Sequence, residues 1–269
     1  MKQILQKLET LIKQHAAEQI MPRYNQVAYS LKKDGSLITE ADSAMQEAMI
    51  SSLQQYWPEY AVLGEEMTEA EQQAQLDCDA QGLWVLDPLD GTSNFANGIP
   101  IFSVSIALVK NNEVVLGVIY DPNRDEMFSA IKDEGAWLNG KSLKCVTERE
   151  QLNQCTAQID FKRLKPEMRV CLSREHPYAS QRNFGSGALD WCWLAAARSQ
   201  LYIHGGQKLW DYVAGQLIFS EAGGFAKTFS GDAVFKKTLR SRSVMAAVSQ
   251  SLFLQLQRYL TSMECRKEK

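Results

Sequence analysis

Three runs of apolar and β-branched residues, 101–109, 113–120 and 126–131, follow one another with only Asn-Asn and Pro-Asn turns between them. Strands joined by turns this short run antiparallel, because a parallel neighbour needs a crossover of a dozen or more residues. The middle of the chain therefore predicts a meander, and whatever surrounds it must cover the faces of that sheet. Upstream, residues 1–20 space Ile4, Leu5, Leu8, Leu11 and Ile12 along one face of an amphipathic helix. Asp34-Gly35 suits a tight turn, and Thr39-Glu40-Ala41-Asp42 heads a second helix expected to reach about Tyr56 and stop before Pro58. Residues 61–64 read as a short strand, 67–81 as helix or loop, and 83–86 as a buried strand ending at Asp87-Pro88.

Residues 135–140 read as a connection. Beyond them, strand-like segments at 168–173, 201–204 and 244–248 alternate with helix-like ones at 189–199, 213–221 and 251–263, the pattern of a layered α/β lobe. No Pro/Gly/Ser-rich linker divides the halves. The expectation is an N-terminal α+β lobe over 1–140 and a C-terminal α/β lobe over 141–269, with a cleft between them in one functional unit.

Composition narrows the function more than the fold. The 269 residues are 45% hydrophobic and 23% charged, ordinary globular usage that excludes a disordered, fibrous or membrane-spanning chain. Lys plus Arg at 29 against Asp plus Glu at 32 leaves a formal charge of -3, so there is no general electrostatic case for nucleic acid or a membrane surface. A small polar substrate fits better. Cys78, Cys145, Cys155, Cys171, Cys192 and Cys265 are scattered without a Cys-x-x-Cys pair, which speaks against zinc and a disulfide framework. Free thiols and the absence of a secretory pattern at the start lead to a cytoplasmic expectation. His15 and His176 are expected to face solvent.

The chemistry concentrates in Trp84-Val85-Leu86-Asp87-Pro88-Leu89-Asp90-Gly91-Thr92-Ser93. Two carboxylates at the end of an apolar strand stand where α/β folds present ligands, and Pro88 stiffens the turn between them. A hard cation such as Mg²⁺ takes oxygen ligands at ~2.1 Å, and Asp87, the Leu89 carbonyl and Asp90 offer three from one turn. Gly91 lets a ligand approach the backbone, and a helix beginning at Thr92 would turn free N–H groups toward a phosphate. Taken alone, the run also suits a plain turn. Leu63-Gly64-Glu65-Glu66 adds an acidic pair at a strand end, and Leu209-Trp210-Asp211 a carboxylate ahead of a helix that closes on Gly223-Gly224. In isolation the first reads as a solvated surface and the second as a helix cap.

Together, Gly64-Glu65-Glu66, Asp87-Pro88-Leu89-Asp90-Gly91-Thr92, and Trp210-Asp211 followed after eleven intervening residues by Gly223-Gly224 resemble the three signature elements of the inositol monophosphatase family. Its members are lithium-sensitive, magnesium-dependent phosphomonoesterases, including fructose-1,6-bisphosphatases and 3'-phosphoadenosine-5'-phosphate phosphatases. The resemblance implies a mixed α+β, α/β fold, a layered αβαβα sandwich. It implies two or three Mg²⁺ ions: one on Glu65, Asp87 and the Leu89 carbonyl, a second on Asp87, Asp90 and Asp211, and a loosely held third again on Glu65. Glu65 and Thr92 would orient the attacking water, Asp42 would accept from the Thr92 hydroxyl, and the Gly91 and Thr92 N–H groups would hold phosphate oxygens. Glu66 would be supporting.

Further along, Phe184-Gly185-Ser186-Gly187-Ala188-Leu189-Asp190 resembles the family's segment beside the substrate polyol, with Gly187 where Ala is common. Ser186, Gly187, His204 and Asp211 are the remaining expected substrate contacts. His204 stands seven residues before Asp211, where inositol-selective relatives carry Glu; either the imidazole relaxes selectivity for inositol phosphate or it packs between the lobes. Expected partners are a small phosphorylated substrate and a second copy in a homodimer, with Li⁺ as inhibitor and neither membrane nor direct nucleic-acid binding. The alternatives are a 3'-phosphoadenosine-5'-phosphate 3'-phosphatase, a sugar bisphosphatase, or an accessory protein of the transcription or ribosome-maturation machinery.

Overall fold

The computed structural model describes residues 1–26, 29–32, 37–78 and 81–265; the Asp34-Gly35 turn lies outside the described residues. Helix α1 (Lys2–His15) continues through a π-helical stretch (Ala16–Ile20) and a 3₁₀ turn (Met21–Arg23) to a small hairpin, β1 (Tyr29–Leu31) and β2 (Leu37–Thr39). Helix α2 (Glu40–Tyr56) starts on a reciprocal cap: Ala41 N–H donates to the Thr39 hydroxyl, while the Thr39 N–H and hydroxyl both donate to Asp42. Strand β3 (Ala61–Gly64) leads to α3 (Glu69–Asp77), whose start is fixed by Thr68 and Glu71 in the same way. Then come β4 (Leu83–Asp90), the short α4 (Thr92–Ala96), and the predicted meander, β5 (Ser103–Lys110), β6 (Glu113–Asp121) and β7 (Glu126–Ile131). A last hairpin, β8 (Gly135–Leu138) and β9 (Lys141–Leu143), completes a seven-stranded sheet in the order β3-β4-β5-β6-β7-β8-β9.

The second sheet is built from β10 (Thr156–Asp160), β11 (Ser180–Arg182), β12 (Leu201–Gln207), β13 (Phe225–Lys227) and β14 (Arg242–Ala247), in the order β11-β10-β12-β14-β13. Helices α5 (Pro166–Glu175), α6 (Gly187–Ala195), α7 (Leu209–Glu221) and α8 (Gln250–Cys265) accompany it. The layers alternate as helix, sheet, helix, sheet, helix: α1 and α2 outside the first sheet, α6 and α7 between the sheets, and α8 outside the second. Alternation along β4 separates two cores. Trp84 and Leu86 point to the α1/α2 core, and Leu83 and Val85 to the larger core shared with α6 and α7.

The structure departs from the sequence reading at three places. Residues 168–173 are not a strand but part of α5, which begins with Pro166 at its first position; Met168, Val170 and Leu172 alternate like a strand, yet only Leu172 is buried. Residues 135–140 are not a plain connection but a hairpin turning on Asn139-Gly140, both with positive φ. His15 faces Ser52, with Nε2 2.8 Å from its hydroxyl, whereas His176 is exposed as expected. No described helix is long and apolar enough to cross a membrane.

Helix α7 is held between the sheets by close approaches. A Cβ on Gly117 of β6 would meet the Ala214 carbonyl at 2.8 Å, and one on Gly215 would collide with the Trp191 side chain of α6. Trp191 is fully buried and has nowhere to retreat. Gly215→Ala is therefore expected to lower stability by about 1–3 kcal/mol despite the better helix propensity of Ala. A urea midpoint equal to the wild-type value would contradict this packing.

Candidate active site

The seven-stranded sheet, the start of α4 and the ends of α6, α7, β10 and β12 border one cleft of about 330 Å³. Its lining includes Glu65, Asp87, Leu89, Asp90, Gly91, Thr92, Ser186, Gly187, His204 and Asp211, all named by the sequence reading. Asp42 stands just behind. Strand β4 brings Asp87 and Asp90 there because its pairing with β5 breaks between them and resumes at Asp90 opposite Ser103. Gly91 follows with φ +93°, and a Cβ there would press on the Ile101 carbonyl, so the chain enters α4 through a turn that favours glycine.

Each carboxylate has a distinct set of partners. Asp90 accepts from the Ser186 hydroxyl, from Gly187 N–H at 3.2 Å and from Ala188 N–H at 2.8 Å, all at the start of α6. Asp211, in the first turn of α7, accepts from Lys208 N–H at 2.8 Å. Asp87 accepts from Leu89 N–H at 3.0 Å and lines the same cleft as Glu65. Glu65 lies 2.9 Å from Lys32 Nζ, which also reaches Glu66 at 2.6 Å. Thr92 Oγ1 is 2.9 Å from Asp42 and 3.0 Å from the Leu89 carbonyl, so its single proton is committed to acceptors.

Electrostatically the cleft is under strain. Burial first, then the charge of Glu65 and its neighbours, pushes the Asp87 and Asp211 carboxyls well above the usual range. Burial also holds Asp90 up, to about 6, against the pull of its Ser186 and Ala188 hydrogen bonds. Burial and Glu65 raise Glu66 to about 7. Four acidic side chains and the Leu89 carbonyl form an all-oxygen donor set, with Lys32 bound at one edge only. A hard divalent cation suits this set. Among the described residues, no three His, Cys, Asp or Glu side chains close into a cage, since Glu65 is drawn to Lys32 and Asp90 to the α6 amides.

Sequence reading missed part of the lining: Asp160, Lys162, Arg163, Asn183 and Gln207. Asp160 ends β10, a short strand whose polar Gln158 and Asp160 hid its pattern, and Lys162 and Arg163 lie in the 3₁₀ turn that follows. Lys32 carried no signal at all, because its partners are more than thirty residues away.

A carboxyl whose folded pKa lies above its unfolded value, near ~4, stabilises the fold below that value and loses the contribution as pH rises through the folded pKa. With divalent ions chelated, the melting temperature is expected to fall as pH rises from about 4 through 7, and Mg²⁺ added at neutral pH should raise it again. A melting temperature insensitive to both would contradict the electrostatics of this cleft.

Known proteins match over most of the chain. The model of the inositol monophosphatase family matches residues 1–262. The Nus factor SuhB of Pasteurella multocida is 38% identical over 213 residues, 78% of either chain. The inositol-1-monophosphatase of Mesorhizobium japonicum is 34% identical over 75% of this chain and 76% of its own. The crystal structure of extragenic suppressor protein suhB from Bartonella henselae superposes with a TM-score of 0.80 at 28% identity, covering 96% of this chain and 98% of that one. With its signature carboxylates on one cleft of an αβαβα sandwich, the chain belongs to the inositol monophosphatase family.

Proposed function

We propose that the protein is a Mg²⁺-dependent phosphoric monoester hydrolase acting on inositol monophosphate or a related small polyol or sugar phosphate. The observation that carries the reading is the meeting of Glu65, Asp87, Asp90 and Asp211 on the cleft that also holds Thr92, whose hydroxyl is committed to Asp42. Glu65, Asp87, Asp90, Asp211 and the Leu89 carbonyl would hold the cations. When bound, two Mg²⁺ ions lower the pKa of water and neutralise charge on the phosphoryl oxygens.

The chain's own residues orient the reactants. Because the Thr92 proton is given away, its oxygen can only accept, so a water donating to Thr92 and to Glu65 has a lone pair left for phosphorus. Asp42 keeps that direction fixed. The Gly91 and Thr92 N–H groups at the start of α4 hold phosphate oxygens, and Ser186 and Gly187 border the leaving group. The reading carries with it a cytoplasmic homodimer. Nucleotide 3'-phosphates and sugar bisphosphates are the competing substrates within this chemistry. A second role, in the transcription machinery, is favoured by the name of the Pasteurella relative, a Nus factor; it would survive loss of catalysis.

Phosphate release is expected to require Mg²⁺, and Asp90→Asn should nearly abolish it while the protein stays folded. Thr92→Ala should lower kcat by roughly 10² with little change in KM, since an interaction of the transition state is lost. Wild-type turnover in chelator, or an effect of Thr92→Ala confined to KM, would sink the assignment. Li⁺ at millimolar concentration is expected to inhibit at limiting Mg²⁺ through the site of Asp87, Asp90 and Asp211. Steady-state rates across a Li⁺ titration test it, and a flat response would argue against that site.

A further inference from the structure

The second sheet contributes its own edge to the cleft, with Asp160, Lys162, Arg163 and His204 on it. Asp160 ends β10 and His204 lies in β12; the two strands run parallel, with Asp160 and His204 directly paired. His204 is buried, and its Nδ1 accepts the Gly206 N–H at 3.1 Å. An accepting nitrogen carries no proton, so the proton of the neutral ring sits on Nε2, 3.3 Å from Asp160 Oδ2. Both ring nitrogens thus have partners inside the protein, and the imidazole offers no free polar atom to a ligand.

Asp160 is different. Its Oδ1 accepts from Lys162 N–H at 2.9 Å and its Oδ2 from His204, which leaves lone pairs open on a side chain 22% exposed. The turn carrying Lys162 and Arg163 rests on bare backbone: a Cβ on Gly205 would run into the Arg163 carbonyl. Against desolvation by burial, the hydrogen bonds from His204 and the Lys162 N–H, with Arg163 nearby, keep the Asp160 carboxyl below the usual range, hence ionised. A fixed, ionised carboxylate at the rim is an acceptor for paired hydroxyl donors.

We propose that Asp160 is a specificity-determining residue that accepts hydrogen bonds from the hydroxyl groups of the leaving alcohol, and that His204 is a positioning residue that holds it. This rests on the phosphatase reading above and deepens it: the favoured esters are those of polyols, whose hydroxyls can meet Asp160. The polyol contact expected of His204 thus falls to Asp160 on the neighbouring strand. Glu in place of His204 would set a second carboxylate against Asp160.

The test compares kcat/KM for myo-inositol 1-phosphate and p-nitrophenyl phosphate with Mg²⁺, in the wild type and in Asp160→Asn, Asp160→Ala, His204→Leu and His204→Gln. The aryl ester has no hydroxyl for this edge and reports folding and catalysis in every variant. The ratio of inositol to aryl ester is expected to fall on the order of 10–100-fold in both Asp160 variants, through KM. His204→Leu should lower it in the same direction, and His204→Gln, which keeps an N–H donor, should lower it less. A ratio unchanged in the Asp160 variants, with both esters hydrolysed by the wild type, overturns the inference and leaves the phosphatase reading standing. A wild type that hydrolyses neither ester overturns both.

Discussion

The hydrogen bonds of Asp90 tie the end of β4 to the start of α6, in the helix layer between the two sheets. The carboxylate ends β4 in the first sheet and accepts from Ser186, Gly187 and Ala188, which open α6 against the second. A buried carboxylate with three donors is anchored far more firmly than a surface ion pair, and the start of a helix is where such donors are free. Several parts of the cleft adjoin that anchor. Ser186 and Gly187 are drawn to the edge of the site, α6 is fixed for Trp191 to pack on Gly215, and α7 is held at the depth that brings Asp211 toward Asp87.

Stability and chemistry compete at the same residues. The protein buries Asp87, Asp90 and Asp211 together, although burial and mutual repulsion push all three toward protonation. Such a cluster weakens a fold unless a cation is supplied, and the compensation comes from two extensive apolar cores on either side of the first sheet. Lys32 offsets only Glu65 and Glu66 at the margin.

Much of this was legible in the sequence because it rests on local or periodic features. The meander showed through its apolar, β-branched runs and Asn-containing turns, and α2 through the Thr39–Asp42 cap. The residues of the cleft came from three short motifs and from likeness to a family, and the fold they imply is the one observed. What stayed hidden depends on partners far away in the chain. Residues 168–173 alternate as a strand would, but packing on one side only lets Pro166 start a helix instead. Strand β10 is short and half polar, and its Asp160 gains meaning only from His204, forty-four residues on and paired across the sheet.

The broken pairing in β4 has a consequence of its own. In a regular strand, side chains three residues apart point to opposite faces, so Asp87 and Asp90 would be split between core and cleft. The irregularity between them, spanned by Pro88, adds the half-turn that returns both to one side. The length of this segment is thus constrained more tightly than its composition. Leu89 offers the cleft its carbonyl and sends its side chain into the α1/α2 core, so another apolar residue of similar volume would serve there, whereas one residue more or fewer would turn a carboxylate away from its partners.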